Sequence, residues 1–274
     1  MKITNAMQLV STSRLARSQQ RVERTKPYAK IMRHVISHIA SSRVDYQHPF
    51  LKRPKKVDAC GIIVISTDRG LCGSLNSRLF KLVLTQLSEL EEQGIDQSLC
   101  LFGNKAIQFF SKFSGKVVAS SRTLGDHPSL ADVLGIVKWM IDAFQDGRLQ
   151  KVYLACNEFK GVMTQEPELI QLLPLPKKSV KTTEEIENFD YIYEPSSKEI
   201  LDVLLHRYIE TLVYQSVVEN VACEHAARMI AMKNATENAN KLLDDLNLIY
   251  NKARQASITQ ELAEIVAGSI DDAT

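Results

Sequence analysis

The loop Gly70-Leu71-Cys72-Gly73-Ser74-Leu75-Asn76 holds the residue types most open to chemistry. It leaves a short apolar run, Cys60–Ser66, and enters an amphipathic stretch, a place where backbone N–H groups often cradle phosphate. It lacks the Gly-Lys-Ser/Thr ending of a P-loop and the glycine spacing of a dinucleotide fingerprint. A tight turn or a contact loop is therefore expected. Cys72, with Asp68 and Arg69 nearby, is a potential nucleophile with no base identifiable in the sequence, and a semi-buried thiol is the simpler expectation. His34 and His38 share a helix face at i, i+4, a spacing that metal ligands use, but no HExxH context or third ligand accompanies them. His206 and His225 have no evident partners, and Asp244–Asp245 and Glu184–Glu185 read as solvated faces. No catalytic, cofactor-binding or metal site is predicted.

The elements that position these residues are more informative. Between Pro195 and Gly268 there is neither proline nor glycine. Ser196 and Glu199 have capping-box spacing at the start, and Gly268 is a plausible stop. At ~1.5 Å per residue the predicted helix is on the order of 105 Å long, too long to lie within one compact domain. Met232, Ala235, Ala239, Leu242, Leu246, Ile249, Ala253 and Ala256 alternate steps of three and four, a heptad seam. Its alanines allow a partner helix to approach closely. The natural partner is residues 1 to about 45, a second helical stretch with Pro27 as a bending point and a stripe of Ile3, Met7 and Val10.

Between the two helices the texture changes. Gln47–Lys56, with Pro49 and Pro54, reads as a linker. Cys60–Ser66, Ser98–Gly103, Lys116–Ser120 and Lys151–Glu158 read as strands, separated by amphipathic helices that include Leu130–Phe144. Residues 163–175 and 189–194 read as two further, more polar edge strands. Alternating strands and helices predict a largely parallel sheet. The expected fold is α/β, an antiparallel coiled coil of long N- and C-terminal helices with an inserted Rossmann-like α/β domain. Its divisions are an N-terminal helix over 1–48, an α/β domain over 57–194 and a C-terminal helix over 196–268.

Composition bounds the function. The chain has 274 residues, 45% hydrophobic and 24% charged, with net charge +2. A balance so close to neutral does not by itself imply a nucleic-acid or membrane partner. The basic excess at Lys2, Arg14, Arg17, Arg21, Arg24, Lys26, Lys30 and Arg33 reads as a solvated or partner-binding helix face. Five cysteines, with no CxxC pair, read as reduced, buried thiols. No run approaches the roughly 20 apolar residues of a membrane-spanning helix, and residues 1–15 lack the apolar core of a signal peptide.

Four motifs are more specific than periodicity requires. They are KITNAMQLVSTSRL at residues 2–15, STDRGLCGSLN at 66–76, ACEHAARMIAMKNATENAN at 222–240 and YNKARQASITQELAEIVAG at 250–268. With DYIYEP at 190–195, and in this order, they resemble the gamma-subunit family of F-type ATP synthases. The resemblance covers essentially the whole chain. It implies a central rotor stalk whose terminal helices turn in the bore of an alpha3beta3 hexamer, with the α/β domain against the epsilon subunit and the membrane c-ring. It implies a subunit without catalytic residues or cofactor, no nucleic-acid partner, and a peripheral place on the cytoplasmic face of a bacterial plasma membrane. Carried over by motif, the beta-subunit contacts are Arg254, Gln255, Thr259, Glu261, Met7 and Arg228. The chain opens at KIT, where the family has further residues upstream: either the start lies upstream of Met1, or the N-terminal helix is short and the upper part of the C-terminal helix is expected to be single. Cys223 and Ala263 depart from the family's usual serine and hydroxyl residues.

Two other readings fit the residues without the resemblance: a non-rotary coiled-coil scaffold, and a nucleotide-binding α/β enzyme whose helices dimerise it. The ARQ–IT–EL ending is unneeded by a scaffold, and the missing P-loop counts against the enzyme.

Overall fold

The computed structural model describes residues 2–41, 48–52, 54, 56–112, 116–122, 125, 128–175 and 197–271; the side chains of 30, 33, 34, 36–41, 116, 197, 198 and 264–271 lie outside that description. Helix α1 (Lys2–Ser41) is followed by strand β1 (Ala59–Ile65), α2 (Leu75–Glu92), β2 (Asp96–Phe102), α3 (Asn104–Phe110), β3 (Lys116–Ser121), α4 (Leu130–Gln145), β4 (Lys151–Phe159), β5 (Gln165–Leu173) and α5 (Ser197–Asp271). The expected strand at 189–194 and the capping residue Ser196 fall outside the described residues. Helix α5 is 75 residues long and continues through Gly268, so the expected stop there does not hold.

The sheet order is β3-β2-β1-β4-β5. Strands β1 to β4 are parallel and β5 pairs antiparallel with β4. Because successive side chains of a strand point to opposite faces, β1 feeds two cores. Cys60, Ile62 and Val64 pack with Leu79 and Val83 of α2 and Phe110 of α3. Ile63 and Ile65 pack on the other face with Met140 and Phe144 of α4 and Val213 and Val217 of α5. Burial on both faces explains why the run is continuously apolar rather than alternating. Helix α4 starts in a capping box, with Asp132 N–H donating to Ser129 Oγ and Ser129 N–H to Asp132 Oδ2.

The linker expectation for Gln47–Lys56 needs correction. Pro49–Leu51 forms a single 3₁₀ turn, and Phe50 is fully buried in the core beside Phe144 and His206. His48 clasps it: its Nδ1 accepts from Phe50 N–H at 3.2 Å and its Nε2 faces Asp202 Oδ1 at 3.0 Å. The segment is an anchor that ties the end of the N-terminal half to α5.

Helices α1 and α5 run antiparallel, with Thr4 beside Thr236 and Val22 beside Val218 and Ala222. The α1 stripe also differs from expectation. Ile3 and Val10 are 75% and 51% exposed, while Met7 is half-buried. The buried face runs through Ser11, Leu15, Ser18, Val22, Ala29 and Met32, a three-four alternation in which half the members are serine or alanine. Small side chains let two backbones approach, so this seam has little hydrophobic signature. On α5 the predicted seam is covered only at its lower end. Met232 is buried and Ala235 and Ala239 half-buried, whereas Leu242, Leu246 and Ile249 are more than half exposed. Above Ala239, α5 has no paired helix among the described residues.

Candidate functional site

The crevice at the carboxyl ends of β1 and β4 is where open parallel sheets bind ligands. Here the chain fills it with itself. Gly103 approaches β1 so closely that a Cβ would lie 2.5 Å from the Ser66 carbonyl, at a φ of 89°. On the β2 side of β1, Asp68 accepts from the N–H groups of Asn104 at 3.3 Å and Gly125 at 3.0 Å. Asn76 ties the loop across its base, accepting from Thr67 N–H and donating to Thr67 Oγ1. From the other side α5 closes the crevice: Asn220 Nδ2 donates to the Ser66 carbonyl at 3.2 Å, and the Arg228 guanidinium donates to the Gly70 carbonyl at 3.2 and 3.3 Å. The loop is thus held as a structural turn, with Leu71 at a φ of 62° and its side chain outside.

The thiols offer no nucleophile. All five are buried. Burial pushes Cys60 up to about 11 and Cys100 and Cys156 up to about 12, and it raises Cys72 and Cys223 as well. No group of three or more potential metal ligands occurs among the described residues, and the side chains of His34 and His38 lie outside them. His206, for which the sequence suggested no partner, packs on Phe50 and reaches Gln145. Among the described residues no helix is long and apolar enough to cross a membrane.

What remains as a working surface is the shaft. Arg254, Gln255, Thr259 and Glu261 are all exposed on α5 within about two turns of one another. Thr259 Oγ1 donates to the Gln255 carbonyl and Ser257 Oγ to Glu261 Oε1, bonds that leave the side chains on the surface. Exposed Tyr250, Ile258 and Leu262 are interspersed with them. Exposed apolar side chains interspersed with polar ones on a helix with no paired neighbour among the described residues form a candidate contact surface. The other two sequence-predicted residues lie elsewhere. Met7 is half-buried near the tip of α1, about three turns past Ser18. Arg228 is buried, roughly 39 Å down the helix from Arg254, and forms an ion pair with Glu224 besides its bonds to Gly70. Thus four of the six cluster, and Arg228 serves inside its own chain.

Sequence reasoning missed the polar residues of the α5–sheet junction. Asn157 and Asn220 are each 1% exposed, and Asn157 Nδ2 donates to Asn220 Oδ1 at 2.9 Å. The available signal was an asparagine inside the aliphatic run VVENVA, on the same helix face as buried valines.

The sequence pattern of the ATP synthase family matches residues 1–270. The chain is 51% identical over 271 residues to an ATP synthase gamma chain of Nitrosococcus oceani, covering 98% of this chain and 93% of that one. Its fold resembles a chain in the central stalk and c-ring of the Tetrahymena thermophila mitochondrial ATP synthase, with TM-score 0.62, 22% identity, and coverage of 85% of this chain and 99% of that one. It also resembles a chain in the rotor of the Euglena gracilis mitochondrial ATP synthase, with TM-score 0.53, 16% identity, and coverage of 93% and 99%.

Proposed function

The chain belongs to the ATP synthase gamma-chain family and is a central stalk subunit of the F1 sector, and from that premise we propose how it works. It carries no catalytic site of its own and acts as a drive shaft. The observation that carries this reading is α5, one unbroken helix whose lower part is embedded in the α/β domain and whose upper part is exposed on every side.

The upper helix turns inside an alpha3beta3 hexamer. The α/β domain below meets the epsilon subunit and the membrane c-ring at the cytoplasmic face of the bacterial plasma membrane. Ion flow turns the base; the tip meets each beta subunit in turn and shifts it among its nucleotide-affinity states. Such a shift requires only that the tip contact one beta conformation better than another. Arg254 and Gln255 make those contacts, with Thr259 and Glu261 a turn further on. Charge-assisted hydrogen bonds from Arg254 to carboxylates are strong yet reversible, as contacts renewed on each rotation must be. Met7 meets beta near the lower rim of the bore. Arg228 acts from within, by holding the 67–76 loop in the shape it presents.

Copurification at native expression level tests this function. The expected product is a hexameric ATPase that holds one copy of the chain. A homodimer free of catalytic subunits would refute the rotary role and favour a scaffold.

A further inference from the structure

Helix α5 presents a monotonous surface to the sheet. Its i, i+4 row Leu201, Leu205, Ile209, Val213, Val217 and Val221 is aliphatic throughout and buried throughout. The adjoining positions Val218, Ala222 and Ala226 are small and buried too. A slide of one turn, about 5.4 Å, replaces each member by a near-equivalent. Apolar packing is non-directional, so this face alone specifies the register of the helix weakly. The α1 seam is more discriminating, since a one-turn slide along it sets Leu15 or Met7 in the place of Ser11, but it fixes α5 against α1 rather than against the sheet.

Among the described residues of α5, the buried polar side chains Asn220, His225 and Arg228 break the monotony; Arg228 meets the 67–76 loop, and Asn220 meets the strand ends. Asn220 donates to the Ser66 carbonyl at 3.2 Å and accepts from Asn157 Nδ2 at 2.9 Å. Ser66 is fixed in turn: its Oγ donates to the Phe102 carbonyl and accepts from Ala106 N–H, both within 2.9 Å. Asn157 lies on β4, and its backbone carbonyl faces Cys223 Sγ at 3.5 Å. The bonds therefore join α5 to the ends of β1, β2 and β4. A one-turn slide in either direction brings Ser216 or Glu224 to this spot. Serine is too short to span both partners, and a glutamate would set a carboxylate against a buried carbonyl oxygen.

The amide pair is a poor investment for stability. Asn157 Oδ1 is buried without a hydrogen-bond partner among the described residues, and a buried acceptor left unsatisfied is unfavourable. A single buried asparagine that sets register at the expense of stability is a known device of packed helices.

We propose that Asn220, held between Asn157 and the Ser66 carbonyl, is the register key of this rotor: a positioning residue that fixes the axial height and rotational phase of the shaft on its α/β domain. The inference deepens the rotary reading, since torque passes between domain and shaft only if α5 cannot slip. The register itself is a property of the chain and is measured without any partner.

The experiment is a spin-label distance measurement on the full chain, with Ser88→Cys on α2 and Asn238→Cys on α5, both exposed, the native thiols being buried. The unaltered junction is expected to give one narrow distance. Asn220→Leu is expected to add a second population displaced by about one helical turn, with the thermal midpoint unchanged or raised. A single unshifted distance in that variant overturns the key, whatever its midpoint, and a lowered midpoint with one distance assigns the amides to ordinary packing. Should Asn220→Leu not fold, Asn157→Leu decides by the same reading, because it leaves α5 intact: a broadened or doubled distance supports the key and an unchanged one refutes it. In the assembled ATPase, Asn220→Leu is expected to keep hydrolysis within about two-fold while the ions pumped per ATP fall further, because slip dissipates torque but not turnover. If the native chain fails to assemble with catalytic subunits, the rotary role falls while the distance result still stands.

Discussion

At the scale of single residues, His48 shows how chemistry and anchoring combine. Burial lowers its pKa below the ordinary value, an effect larger than the opposing pull of the Asp202 carboxylate. Its Nδ1 also accepts the Phe50 N–H, which an imidazolium cannot do. The folded state therefore binds the proton less readily than the unfolded chain does. The stabilisation is fully present above the ordinary histidine value of about 6.5 and is lost as pH falls below it. Thermal unfolding followed from pH 7.5 to 5.5 should show a steeper fall in midpoint for the native chain than for His48→Gln. Parallel curves would mean that the clasp does not titrate. Gly103 makes a second case. Gly103→Ala puts a methyl within 2.5 Å of the Ser66 carbonyl at a positive φ, so a loss of well over 1 kcal/mol in denaturant unfolding is expected.

At the scale of elements, the α1–α5 seam is decided by size rather than hydrophobicity. Ser11 is buried on α1 while Ile3 and Val10 face solvent. Ser11→Leu should overpack the interface and lower stability by about 1–3 kcal/mol, whereas Ile3→Ala should stay within about 0.5 kcal/mol. Chemical denaturation distinguishes the two, and equal effects would place the seam elsewhere. The same logic explains Phe50. A short turn between two prolines carries no periodicity to announce itself, yet its ring fills the angle between α4 and α5 beside Phe144. Strands β1, β2 and β4 show the reverse situation. Their apolar runs were legible because both faces are buried, and a strand covered on both faces can be read from composition alone.

At the scale of the whole molecule, the packed part of α5 and the contacts proposed for it lie at opposite ends. The lower part packs against the sheet and α4, while Arg254 and Gln255 are exposed among the described residues. Arg254→Ala with Gln255→Ala should therefore leave the unfolding midpoint almost unchanged, a surface change of about 0.5 kcal/mol or less. Coupled ATP synthesis in membrane vesicles should fall by about ten-fold, the effect of roughly 1.4 kcal/mol of lost contact. Wild-type synthesis in the double variant would show these contacts to be dispensable. A fallen midpoint would show that the tip is not independent of the domain.

The sequence by itself determined the elements. Absence of proline and glycine over a long run set α5, and β-branched runs between amphipathic stretches set the parallel sheet, because these are local preferences of the backbone. Ordered motifs at 2–15, 66–76, 222–240 and 250–268 pointed to the family. Which faces meet was decided only by the tertiary structure. Ser11, Ser18, Asn157 and Asn220 are polar, and their burial depends on a partner distant in sequence. Leu242, Leu246 and Ile249 are apolar, yet they are exposed among the described residues. Hydrophobic patterning reports how readily a residue leaves water; it does not report which surface will take it in.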